Sequence, residues 1–113
     1  MHELGIAQQL IEMAEDAARR QHVDRVLSVR VDIGSLSGVL LDALTFCFDA
    51  CTRQTLLEGC RLEINQIAAQ ARCQSCAQTY ALNHYFDSCP FCCAADKVVL
   101  CGEELQLREM EVD

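Results

Sequence analysis

Cys73-Gln74-Ser75-Cys76 and Cys89-Pro90-Phe91-Cys92 constrain this chain more than any other stretch. Twelve residues separate the two CxxC pairs. Each pair puts two sulfurs on one tight turn, and folding the segment over brings the turns together as a tetrahedron. Four thiolates around Zn(II) form a closed, structural coordination set. Two disulfides and a redox dithiol are the competing uses of such cysteines. The chain has nine cysteines, an odd number, so complete internal pairing is impossible. A redox CxxC belongs at the start of a helix that follows a strand, and thiols held on a metal are unavailable for exchange. A lobe built this way has little apolar content and draws its stability from the ion.

The remaining chain carries enough apolar residues for one modest core. Its 113 residues suit one compact domain plus a small metal module, and 51% of them are apolar. Residues 3–21 have helical spacing, with Leu4, Ala7, Leu10, Ile11, Ala14, Ala17 and Ala18 on one face. Residues 26–33 alternate, Leu27, Val29, Val31 and Ile33 against Ser28, Arg30 and Asp32, the pattern of a half-buried strand. Leu44, Cys47, Phe48 and Cys51 return to helical spacing within 40–53. Cys47 and Cys51 lie one turn apart, where a metal grip is conceivable, but cysteines so placed more often act as small hydrophobes. A second strand is expected over 61–67 and a last one over 105–112. The apolar phase of that last strand shifts between Leu107 and Met110, as a bulge or an edge position would require. Val98–Leu100 is apolar and able to pair locally. The expected fold is α+β: two helices on a small three-stranded sheet, formed by 1–69 and 98–113, with a zinc-ribbon-like lobe inserted at 70–97.

A second constellation is Met1-His2-Glu3. A bulky second residue disfavours removal of the initiator, so Met1 is expected to stay. Its α-amine, the His2 amide nitrogen and the His2 imidazole can chelate one ion through fused rings. The Glu3 carboxylate, a water or a partner side chain can take the fourth position. Planar nitrogen and oxygen sets favour Ni(II) or Cu(II). Such an incomplete set suits a carrier that must let go, although an isolated terminal histidine is more often merely solvated. His22 is read as a partner for a helix C-terminus. His84 is read as a donor to sulfur or as an exposed residue.

Charge and targeting narrow the classes further. The formal net charge is −8, which disfavours nucleic acid and anionic membranes. Arg72 is the only basic residue of 72–96 apart from neutral His84, against the main rival, a zinc-ribbon interaction or nucleic-acid-binding module. An iron electron carrier would favour Gly after the second cysteine of each pair, where Ala77 and Cys93 stand. The first twenty residues carry four acids and no apolar signal core, no run reaches membrane-spanning length, and a reducing cytoplasm fits. Neither a nucleophile–base arrangement nor a phosphate loop is present, so an enzyme is not expected.

Taken together, Met1-His2-Glu3-Leu4, Gly34-Ser35-Leu36-Ser37-Gly38-Val39, Phe46-Cys47-Phe48, Glu58-Gly59-Cys60, the two CxxC pairs, Gly102-Glu103-Glu104-Leu105 and Met110-Glu111-Val112 resemble the HypA/HybF family of hydrogenase-maturation nickel metallochaperones. The resemblance spans nearly the whole chain in order. It implies that His2, its adjacent backbone and Glu3 bind Ni(II) as transient cargo, and that Cys73, Cys76, Cys89 and Cys92 hold structural Zn(II). It further implies a HypB-type nickel GTPase as partner, delivery to the hydrogenase large-subunit precursor, a monomer or weak homodimer, and no enzymatic activity. Many relatives place His directly after the last ligand cysteine; Cys93 stands there in this chain.

Overall fold

The computed structural model describes residues 2–113. Its elements run α1 (Glu3–Arg20), β1 (Val26–Gly34), α2 (Leu41–Cys51), β2 (Arg61–Ile67), β3 (Gln70–Cys73), β4 (Thr79–Ala81), β5 (Lys97–Cys101) and β6 (Leu105–Val112). They form two three-stranded sheets, ordered β2-β1-β6 and β4-β3-β5. The α+β expectation holds, with a second sheet inside the cysteine lobe that the sequence did not resolve.

Helix α1 places Glu3 in its first turn and Arg19 and Arg20 in its last, the polarity that its dipole favours. Its end is closed by His22, whose φ of 56° is left-handed. The His22 N–H reaches the Arg19 carbonyl, and the Val23 N–H reaches the Ala18 carbonyl, both at 3.1 Å. That pattern satisfies carbonyls orphaned at a helix end. His22 therefore serves α1 through its backbone. The buried face is Ile6, Ala7, Leu10, Ile11, Ala14 and Ala18. Leu4, expected on that face, is 52% exposed and Ile6 takes its place. Helices α1 and α2 pack on each other.

In the first sheet β6 runs antiparallel to β1. The Gly34 N–H bonds Glu104 O at one end, and the Asp113 N–H bonds Arg25 O at the other. Strand β2 climbs with β1, since Asn65 reaches Asp32 and Ser35 bonds Ile67 O. This is the parallel sense that a helical crossover through α2 provides. The sheet's polar face is laced by Arg30–Glu109 at 2.9 Å and Arg108–Asp32 at 3.1 Å. Arg108 and Glu109 are consecutive and both exposed, so the phase shift expected in the last strand is present, and β6 is an edge strand.

The chain divides into two compact units, one of residues 1–32, 39–65 and 106–113, the other of 33–38 and 66–105. Phe48, Leu44, Leu57, Val26, Val29 and Val31 are the largest fully buried side chains of the first. The second gathers Ala69, Ala71, Cys73, Tyr80, Leu82 and Cys89 into its own core. It takes in more chain than 70–97. β3 pairs antiparallel with both β4 and β5, with a register shift between Gln70 and Ala71. The turn after β1 joins it as well: the Leu36 N–H bonds Gly102 O at 2.8 Å, and Ser35 Oγ accepts from the Ala69 N–H at 3.1 Å. At this junction backbones nearly touch. A Cβ on Gly34 would lie 2.0 Å from Gly102 O, and one on Gly102 2.3 Å from Ala69 Cβ.

Candidate metal centre

Both CxxC pairs sit on turns, and neither opens a helix. The two turns repeat one hydrogen-bond frame. The Cys73 N–H bonds Gln78 O and the Ala77 N–H bonds Cys73 O; the Cys89 N–H bonds Ala94 O and the Cys93 N–H bonds Cys89 O. The residue after each second cysteine turns left-handed, Ala77 and Cys93 both at φ 65°. Glycine would adopt that angle freely, whereas a side chain there carries strain of order 1 kcal/mol. The frame needs the turn, and the chain tolerates the strain twice. The turn swings amide hydrogens toward sulfur. Ser75 and Cys76 N–H groups donate to Cys73 Sγ at 3.3 and 3.4 Å, and the Phe91 N–H donates to Cys89 Sγ at 3.4 Å. These donors were invisible in the sequence, because they belong to backbone, not to residue type.

The four sulfurs converge. Those of Cys73, Cys76, Cys89 and Cys92 all lie within 4.8 Å of one another. Cys73 and Cys92 sulfurs are 3.5 Å apart, and those of Cys76 and Cys89 are 3.7 Å apart. A tetrahedron with Zn–S bonds of about 2.3 Å has edges of about 3.8 Å. The donor set and its spacing therefore fit a zinc-sized ion, which would cross-link both turns. The site grades from inside to outside: Cys73 and Cys89 are buried, Cys76 is half-buried and Cys92 is exposed. The N–H of Cys76 draws the Cys73 thiol down to about 6, with the Ser75 N–H and the Cys92 sulfur assisting against burial. At Cys92 the Ala94 N–H acts in the lowering sense. The hydrogen bond to Cys73 and burial outweigh it, and the thiol is pushed up to about 12. Cys73 is thus the readier of the two to bind as thiolate, and Cys92 would yield its proton to a metal.

Neighbouring groups stay outside the set. Cys93 is exposed and not among the four sulfurs. His84, considered as a donor to sulfur, stacks on Phe86 instead, with centroids 5.1 Å apart and planes 1° from parallel. Tyr80 packs beside Cys73 and Cys89, and its hydroxyl is buried with no hydrogen-bond partner among the described residues. Cys47, Cys51, Cys60 and Cys101 are half-buried, and none joins a metal-sized cluster among the described residues.

At the other end of the chain, His2 is the N-cap of α1, extended at φ −100° and ψ 91°, with its side chain exposed. Its carbonyl already accepts from the Ile6 N–H at 3.1 Å, while the N–H of a cap residue stands outside the helical ladder. Glu3 Oε2 accepts from the Leu40 N–H at 3.0 Å. That bond, with Glu3's own N–H, holds its carboxyl below the usual range. Glu3 therefore links the start of α1 to the N-cap of α2, a tie that no local pattern announced. Met1 lies outside the described residues.

The sequence and the fold can be matched to known proteins. A family model described as hydrogenase/urease nickel incorporation, metallochaperone, hypA, covers residues 1–112. This chain belongs to the HypA family. Hydrogenase maturation factor HypA of Geobacter metallireducens is 47% identical over the full length of both chains, and that of Geobacter sulfurreducens is 43% identical over the full length of both. The HypA of Roseiflexus is 44% identical over the whole of this chain and 93% of its own. The fold matches the solution structure of the Ni metallochaperone HypA from Helicobacter pylori at TM-score 0.70 and 22% identity, covering 99% of this chain and 97% of that one. A second HypA solution structure matches at 0.72 and 22%, covering 99% and 96%. The HypA resemblance read from the motifs stands. Among the described residues no helix is long and apolar enough to cross a membrane.

Proposed function

We propose that this HypA chain is a cytoplasmic nickel carrier, not an enzyme, which binds Ni(II) at its amino terminus and passes it toward the hydrogenase large-subunit precursor with a HypB-type GTPase. The observation that carries the reading is the family match over residues 1–112, to a model described by nickel incorporation. The placement of His2 supports it: an exposed imidazole on an extended cap residue, whose amide nitrogen lies outside the helix. In this reading the Met1 amine, His2 amide and His2 imidazole supply three nitrogens. Glu3 contributes by fixing the segment through Leu40, and its carboxylate is the candidate fourth ligand. The helix–sheet part, 1–69 and 98–113, carries nickel and meets the GTPase. The lobe centred on 70–97 carries Zn(II) on Cys73, Cys76, Cys89 and Cys92. Zinc there supplies a cross-link and no chemistry at an open position.

The test compares nickel retained after dialysis by untagged protein, the His2→Ala variant and a version extended by Gly-Ser before Met1. Stoichiometric nickel is expected only in the first, because a lone imidazole holds Ni(II) weakly. GTPase binding is expected to survive His2→Ala. Equal tight nickel in all three proteins would remove the amine and His2 from the site.

A further inference from the structure

The segment Asn83–Asp87 holds aromatic rings in water on a backbone that is firmly tied. Phe86 is 81% exposed and Tyr85 51%. These are large apolar surfaces for a chain with only six Phe and Tyr residues in all, and Phe91, in the same lobe, is a further exposed ring at 63%. A loose loop would fold such rings inward or leave them mobile. Here the backbone is fixed at several points. Asp87 Oδ2 accepts from the N–H groups of Asn83 and His84, both at 3.0 Å. The Asp87 N–H returns to His84 O at 3.0 Å. Lys97 Nζ donates to Tyr85 O at 2.9 Å, and the Tyr85 hydroxyl bonds the Glu103 carboxylate. His84 lies flat against Phe86 and covers part of one face of its ring. Rings held rigidly in solvent lose little entropy when covered, and that is the character of binding hot spots.

Charge selects what covers them. The unit of 33–38 and 66–105 carries Asp87, Asp96, Glu103 and Glu104 against Arg72 and Lys97. A zinc tetrathiolate would add two further negative charges. Lys97 donates to a backbone carbonyl and keeps its charge, so the acids of the unit still outnumber its bases by two. Anionic membranes and nucleic acids are repelled by such a surface, and a second copy of a chain of net charge −8 is repelled likewise. A guanidinium meets both features at once, stacking on an aromatic face and pairing with a carboxylate. We propose that His84, Tyr85 and Phe86 form a docking surface for a basic, arginine-containing segment of a partner protein. This surface belongs to a different unit of the chain from His2 and Glu3.

The test uses zinc-loaded, isotopically labelled protein titrated by NMR with a synthetic peptide alternating Leu and Arg pairs. Saturable binding is expected, with amide shifts concentrated at Asn83–Asp87 and at Lys97. Phe86→Ser should weaken it by about tenfold or more, the loss typical of a removed hot-spot ring. Because Phe86 is exposed, that variant should keep its zinc and its spectrum elsewhere. A peptide with Glu in place of Arg should fail to bind, and His2→Ala should bind as the wild type does. Equal affinity of Phe86→Ser, shifts centred on another surface, or stronger binding to phosphatidylserine vesicles or RNA than to the peptide would overturn the proposal, as would a flat titration. Nickel retention by the same samples reports separately on the amino terminus, so either idea can fail without the other.

Discussion

At the scale of single residues, the four thiols have unequal roles. Cys73 receives two backbone N–H donors and is buried, whereas Cys92 is exposed. Cys76 is half-buried and lies 3.7 Å from Cys89. Cys76→Ser removes one corner of the tetrahedron, and zinc content by elemental analysis should fall well below one per chain. Should Cys93 fill the vacancy, the double variant Cys76→Ser/Cys93→Ser would lose what remained. Cys60 differs in kind. Burial, then the charge of Asp49, pushes its thiol up to about 11. At about pH 8 its thiolate fraction is of order one thousandth, so it should react slowly with iodoacetamide. Its rate should climb about tenfold per pH unit until the thiol titrates. The sign for stability follows: the folded state keeps the proton longer than the unfolded chain does. The contribution is therefore complete below about pH 9 and is lost as pH rises toward about 11. A urea midpoint that rose across that range would contradict the burial of Cys60.

At the scale of elements, the end of β1 and the turn before β6 approach closely. A Cβ on Gly34 would fall 2.0 Å from Gly102 O and 2.5 Å from Glu103 N, all backbone atoms that cannot rotate away. The Leu36 N–H to Gly102 O bond holds the two segments together. Gly34→Ala should therefore destabilise by about 3 kcal/mol or more, read from the urea midpoint, because overpacking against fixed backbone has no rotamer escape. Gly59→Ala is the comparison, since a Cβ there meets nothing within 4 Å and its penalty is the left-handed φ of 78° alone. Glycine in a turn is easily noticed in sequence. That Gly34 matters through contact and Gly59 through conformation is a tertiary distinction.

At the scale of the whole molecule, the two units rest on different physics. The first has an aliphatic and aromatic interior around Phe48, Leu44 and Val31. The second places two of its four clustered cysteines, Cys73 and Cys89, among the six buried residues of its core. Removing metal by a strong chelator should melt the lobe's amide protection while the helical circular dichroism of α1 and α2 persists. Loss of both signals together would mean that the units fold as one. What the sequence alone determined about this protein is what local spacing can encode. The CxxC pairs fixed which four thiols converge, the 3.6-residue period fixed α1 and α2, and alternation fixed β1, β2 and β6 to within a residue or two. Tertiary structure decided what depends on long-range pairing. It drew residues 98–101 and the turn after β1 into the unit of the four clustered cysteines, and exchanged Leu4 for Ile6 on the buried face of α1. It bound Glu3 to Leu40 across 37 residues and left His84 on Phe86 rather than on sulfur. Periodicity reports which residues share a face, whereas the partner of that face, and of each backbone N–H, is set only when distant segments close on each other.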